Sequence, residues 1–247
     1  MRLILENRTP KKRLDHLLVE QGLVISRSQA ESYIRLGRVS VDGRVVTKPG
    51  HFVAPSAKLA VAGAQYVSRA ALKLASVAEK LHLSFKGKVI LDVGSSTGGF
   101  TDFALHSGAA KSIAVDVGTN QLHPTLRTDP RIELHEQTDI RDIHKLSTEV
   151  DVVVIDVSFI SLREVLPHIA SLVTPRTQIV AMVKPQFEIG GDAKHKGVIK
   201  NDTMRRTILK DFETWARQQF VMVDKADSDI AGEKGNRERF YLLRSAA

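Results

Sequence analysis

The stretch "KVILDVGSSTGGFTDFALHSGA", residues 88–109, limits the possible folds more than any other part of the chain. An apolar, β-branched run enters a glycine-rich turn, and a helical pattern with Phe100, Phe103 and Ala104 on one side leaves it. Further strand patterns follow in "KSIAVDVG", "IELHEQTDIRDI", "VDVVVIDVSFISL" and "TQIVAMVKPQFE". A helix is predicted over "DTMRRTILKDFETWARQQF", with Asp202 or Thr203 as its cap, and closing strands over "FVMVDKADSDI" and "RFYLLRS". Alternating strands and helices predict an α/β, doubly wound, Rossmann-like sheet, with ligands beyond the carboxyl ends of its strands.

The turn itself admits several chemistries. Gly94, Ser96 and Gly98 fit G-x-S-x-G, the hydrolase nucleophile turn. That reading needs an acid and a histidine later in the chain, and His195 sits in the lysine-rich "GDAKHKGV". A phosphate-binding loop needs Lys-Ser/Thr after the glycines, and the dinucleotide fingerprint needs glycine where Ser96 stands. The pattern that remains is D-x-G-x-x-x-G-G-F, a seat for S-adenosylmethionine built from Asp92, Gly94, Ser96, Gly98, Gly99 and Phe100. Asp116 follows the second strand, where a carboxylate can accept from ribose hydroxyls. Asp139 follows the third, where it can meet the adenine amino group or simply cap a helix.

Two further residues stand at strand ends. Asp156 closes the fourth strand and Lys184 the fifth, so the pair should be neighbours. A lysine between an apolar run and a proline is costly as a merely solvated charge. Lys73 in "YVSRAALKL" and Glu238 in "GNRERFYLL" complete the set, although an acid between arginines could equally be a surface ion pair. The segment 185–202, rich in Gly and Lys, is either a closing loop or an ordinary mobile one.

Charge is unevenly distributed. Residues 1–70 hold 12 Lys/Arg against 5 Asp/Glu, whereas the rest hold 24 against 23. A basic front on a neutral body suggests a polyanion-binding module, with nucleic acid as partner. "KKRLDHLLVEQGL" and "SRSQAESYIRLGRV" read as short helices, with Leu14, Leu17, Leu18 and then Ala30, Tyr33, Ile34 facing inward. Ser26 and Gln29 have capping-box spacing, and Asp42-Gly43 marks a tight hairpin. The domain boundary is expected near residue 64, giving segments 1–63 and 64–247. Cysteine is absent, which removes disulfides, thiolate catalysis and Cys-based zinc sites, and the sequence calls for no metal. The opening apolar stretch is too short for a signal peptide, and no run approaches the ~20 residues of a membrane span, so a cytoplasmic protein is expected.

R-L-D at 13–15, S-R-S-Q-A at 26–30 and I-R-x-G-x-V-x-V-x-G from residue 34 to 43 resemble the small α+β RNA-binding S4 domain. The resemblance implies RNA contacts from Arg13, Arg27, Arg35, Arg38, Arg44 and Lys48. The order Lys73, Asp156, Lys184, Glu238 resembles the catalytic tetrad of FtsJ-type ribose 2′-O-methyltransferases. Together the two halves resemble the TlyA family, ribosomal RNA 2′-O-methyltransferases also known as haemolysins. Ser95 departs from that family's pattern, which has alanine there. The resemblance implies methyl transfer from S-adenosylmethionine to a ribose 2′-hydroxyl of cytidine in a ribosomal subunit. Lys184 would be the base, and because an ordinary lysine pKa is about 10.4 its surroundings would have to favour the free amine. Alternatives are a non-enzymatic RNA-binding or assembly factor, a membrane-acting haemolysin, and the serine hydrolase.

Overall fold

The computed structural model describes residues 10–189, 198, 199, 201–232 and 235–246. They form two compact units, 1–65 and 66–247.

The first unit opens with strand β1 (Lys12–Arg13) and helix α1 (Leu14–Glu20), whose Leu14, Leu17 and Leu18 are buried. Helix α2 (Arg27–Arg35) starts at Ser26, whose hydroxyl accepts the Gln29 N–H at 3.2 Å. The Gln29 side chain accepts in turn from the N–H of Ile25, one residue before the cap. Strands β2 (Val39–Val41) and β3 (Arg44–Val45) are joined by Asp42 and Gly43, both at positive φ, as a two-residue hairpin turn requires. Past the hairpin the chain adds more than one strand. β4 (Phe52–Val53) pairs with β1, and β5 (Leu59–Val61) pairs with β2 on its other edge. Tyr33, fully buried, donates to the Ala64 carbonyl at 3.1 Å and ties the end of the unit to α2.

The second unit begins with α3 (Arg69–Ala78). β6 (Val89–Val93), α4 (Gly99–His106), β7 (Lys111–Val115), α5 (Pro124–Arg127) and β8 (Ile132–His135) follow. Then come β9 (Val152–Ile155), α6 (Leu162–Leu172), β10 (Gln178–Val183), α7 (Asp202–Ala216), β11 (Phe220–Asp227) and β12 (Arg239–Ser245). The sheet order is β11-β12-β10-β9-β6-β7-β8. The five strands from β10 to β8 are parallel, and β12 runs antiparallel to both its neighbours. All four residues of β9 are buried, as expected for a central parallel strand covered on both faces. The chain runs outward through β7 and β8, then returns to place β9 on the other side of β6. The crevice between β6 and β9 is therefore the switch point where such sheets bind ligands. Helix α7 is capped by Asn201, not by Asp202 or Thr203; the Asn201 side chain accepts from the N–H groups of Thr203 and Met204. An asparagine in extended backbone reaches the free amides of the first turn, whereas the two following residues already lie on the helix.

Candidate active site

The glycine turn leaves β6 and leads into α4. Gly94 has φ +78, and a Cβ on it would lie 2.7 Å from the Asp156 carbonyl oxygen. The register explains this: Val93 sits beside Ile155, so the two chains continue side by side past the strand ends. Beside Gly98 and Gly99 the space is taken by Leu126 and by the Ser68 hydroxyl. These three glycines allow protein elements to pack closely around the crevice, and Gly94 itself borders it. Ser96 also adopts positive φ, donates its N–H to Asp116 at 2.8 Å and its hydroxyl to Gln121 at 3.0 Å. Among the described residues no histidine is bonded to it, and His195 lies outside them.

Asp92 is fully buried. One carboxylate oxygen accepts from the N–H and hydroxyl of Thr101, at 2.9 and 2.7 Å; the other has no hydrogen-bond partner. Burial pushes its pKa up to about 7, against the lowering effect of the Thr101 bonds. Asp116 accepts the Ser96 and Gly118 N–H groups, one on each oxygen. Asp139 accepts the N–H of Arg141 and pairs with its guanidinium at 2.7 Å, which holds the carboxyl below its usual range. It caps a short 3₁₀ turn (Ile140–Asp142) while also lining the crevice. The Phe100 ring is 2% exposed and packs against Phe240.

Lys184 and Asp156 form an ion pair at 2.5 Å, and Lys184 also donates to the Ser158 hydroxyl at 2.6 Å. Lys73 and Glu238 form a second pair at 2.7 Å, both side chains nearly buried. Glu238 is therefore an interior partner of Lys73, not a surface ion pair. Sheet register brings the lysines' partners to one edge: Val183 faces Arg239, so Lys184 and Glu238 follow at the open ends of adjacent strands. Ser158 borders the crevice and accepts from Lys184, a placement that sequence reasoning missed; its only signal is its place two residues after Asp156.

Two adjoining compartments occupy the crevice. The larger, about 530 Å³, is lined by Asp116, Gln121, Asp139, Ile140 and Val165, among others. The smaller, about 160 Å³, is lined by Asp92, Ser95, Phe100 and Lys184, with Ala70 of α3. Gly94, Ser96, Asp156 and Ser158 border both. The Ser95 hydroxyl is buried without a partner. At the mouth, Phe159 is 78% exposed, held at φ +65, and 5.2 Å from the Phe187 ring. Much of the segment 185–202, expected to close over the site, lies outside the described residues. Glu188, within the described part, is buried and accepts from the Leu162 N–H and the Ser161 hydroxyl.

In the first unit, Arg13 and Arg27 both pair with the buried carboxylate of Asp15, at 2.7 and 3.4 Å. They have a structural partner that the sequence pattern did not suggest. Arg35, Arg44 and Lys48 are exposed, and Arg38 is half-buried beside Gly63.

A mostly parallel sheet with a reversed last strand, a crevice at its switch point and acids after successive strands define a methyltransferase-type α/β domain, here joined to an S4 domain. The family model described as FtsJ-like methyltransferase matches residues 66–245, and the S4 domain model matches residues 12–59. The chain belongs to the FtsJ-like methyltransferase family, in the branch whose members carry the name TlyA. It is 38% identical to the 16S/23S rRNA (cytidine-2′-O)-methyltransferase TlyA of Mycobacterium tuberculosis, over 95% of this chain and 90% of that protein. It is 44% identical to the 23S rRNA (cytidine-2′-O)-methyltransferase TlyA of Campylobacter jejuni, over 71% of this chain and 70% of that protein. A solved structure from Streptococcus thermophilus that carries the name hemolysin is similar at TM-score 0.68 and 35% identity, covering 96% of this chain and 89% of that one. Among the described residues, no helix is long and apolar enough to cross a membrane.

Proposed function

We propose that this chain transfers a methyl group from S-adenosylmethionine to the 2′-hydroxyl of a cytidine ribose in ribosomal RNA. The observation that carries the reading is Lys184, held by Asp156 and Ser158 where the two compartments meet.

The residues present fit the methyl donor. Its amino-acid end carries an ammonium and a carboxylate. The partnerless oxygen of Asp92, buried in the small compartment, suits the ammonium. The partnerless hydroxyl of Ser95, in the same compartment, suits the carboxylate. In the larger compartment Asp116 would accept from the ribose, and Asp139 and Ile140 would border the adenine. When bound, the donor supplies an electrophilic sulfonium methyl.

The chain's own groups activate and aim the nucleophile. A ribose hydroxyl is weakly acidic, so its attack needs a base within hydrogen-bond reach. Lys184 Nζ is the group placed to receive that proton. Asp156 and Ser158 fix the nitrogen in one place and Asp156 stabilises the ammonium that results. Glu238, the partner of Lys73, stands at the strand end next to Lys184, so this second charge pair would lie near the reacting ribose. Arg35, Arg38, Arg44 and Lys48 of the first unit would contact RNA phosphates, and the partner is a ribosomal RNA or subunit.

Transfer of labelled methyl to ribosomal RNA tests the reading. Lys184→Ala should lose 10²–10⁴-fold in turnover, the usual worth of a positioned base, while donor binding stays near wild type. Near-wild-type turnover in that variant would remove Lys184 from the mechanism. Separate assays on the two purified subunits assign the target.

A further inference from the structure

We infer that Gln121 completes the ribose seat of the methyl donor, its side-chain amide donating to the diol whose hydroxyls Asp116 accepts. The inference rests on the cofactor reading above and adds a residue to it.

A vicinal diol presents two O–H donors and two acceptor oxygens, and a carboxylate can satisfy only the donors. The N–H groups of Gly118 and Ser96 are committed to the Asp116 carboxylate, at 2.7 and 2.8 Å. A side-chain amide in the same compartment supplies a further donor. Gln121 lines the same compartment as Asp116, and its amide oxygen accepts the Ser96 hydroxyl at 3.0 Å. With the oxygen turned to Ser96, the amide nitrogen lies over Gly118. A Cβ on Gly118 would fall 1.8 Å from that nitrogen and 2.9 Å from Asp116 Oδ1, so both groups crowd one point. The opposite amide orientation would turn the oxygen toward the carboxylate, a repulsive arrangement.

The position is prepared in advance. The Gln121 N–H donates to Glu136 at 3.1 Å, and Glu136 is itself paired with Arg127. Gly118 is not at positive φ, so its lack of a side chain serves space, and the amide of Gln121 is what fills it. Donor nitrogen and acceptor carboxylate side by side at the compartment wall match the alternating pattern of a diol. A ligand that keeps the adenine and the amino-acid end but lacks the two ribose hydroxyls loses this recognition.

The test is a double comparison by isothermal titration on the full chain. The ligands are S-adenosylhomocysteine and its 2′,3′-dideoxy analogue; the proteins are wild type and Gln121→Ala. One neutral hydrogen bond corresponds to a loss of about 3- to 10-fold in affinity. Gln121→Ala should bind S-adenosylhomocysteine that much more weakly and bind the dideoxy analogue as wild type does. Equal weakening toward both ligands would overturn the inference and make Gln121 part of the wall only. Unchanged or tighter binding of S-adenosylhomocysteine by Gln121→Ala would overturn it as well. Failure of wild type to bind S-adenosylhomocysteine, alone or with ribosomal RNA, would instead bring down the cofactor reading, and the inference with it.

Discussion

Burying Asp92 opposes folding, and the opposition has a measurable size. Its pKa is raised from an ordinary value near 3.8 to about 7 because the carboxylate is removed from water. The folded chain therefore holds a proton that the unfolded chain gives up at lower pH. Below about pH 4 both states are protonated and the group costs nothing. Between about pH 4 and 7 the unfolded state alone ionises, and the cost grows by about 1.4 kcal/mol per pH unit. Above about pH 7 it levels off at about 4 kcal/mol. Asp92→Asn removes that titration. Its oxygen can keep both Thr101 bonds, but its amide then stands where the carboxylate had no partner, at a cost of about 1–3 kcal/mol. Urea denaturation of both proteins from pH 4 to 8 reads the difference directly, and other titrating groups cancel. The stability of Asp92→Asn relative to wild type should rise across that range and flatten near pH 7, while affinity for S-adenosylmethionine falls. A difference that stays constant with pH would refute the reasoning.

Two further outcomes follow from geometry and charge. Gly94→Ala should lose about 1–3 kcal/mol from backbone strain alone, and more as the new Cβ meets the Asp156 carbonyl; unchanged urea midpoints together with unchanged donor titration would contradict the packing account. Replacing Arg38, Arg44 and Lys48 with Gln should lower the slope of log affinity against log salt on ribosomal RNA by about 0.7–0.9 for each phosphate no longer neutralised, and an unchanged slope would remove these residues from the interface.

The order of elements was legible because each strand of the second unit carries its own apolar run and each turn its own glycine or acid. Asp156 and Lys184 could be placed together for the same reason: parallel neighbours end on the same edge. Some assignments needed more than local pattern. Asp42-Gly43 announced its hairpin, but the pairing of β4 with β1 joins residues some forty positions apart and leaves no local mark. Asn201, not its neighbours, caps α7 because cap choice depends on where the backbone leaves the helical region. Arg13 and Arg27 read along the chain as RNA ligands; that both also pair with Asp15, a buried acid of α1, while staying partly exposed, could be read only from the structure.

The sequence by itself determined the fold class, the two-part organisation and the residue types of the site, since periodicity, turn chemistry and charge are written along the chain. Tertiary structure alone decided the partner of Lys73. Lys73 binds Glu238 and Lys184 binds Asp156, rather than the lysines sharing one acid, because β12 runs backward against β10 and brings its first residues to the same edge. It also decided that Asp92 keeps one oxygen without a partner, since burial is set by everything packed around β6 and not by the residues beside Asp92 in the chain.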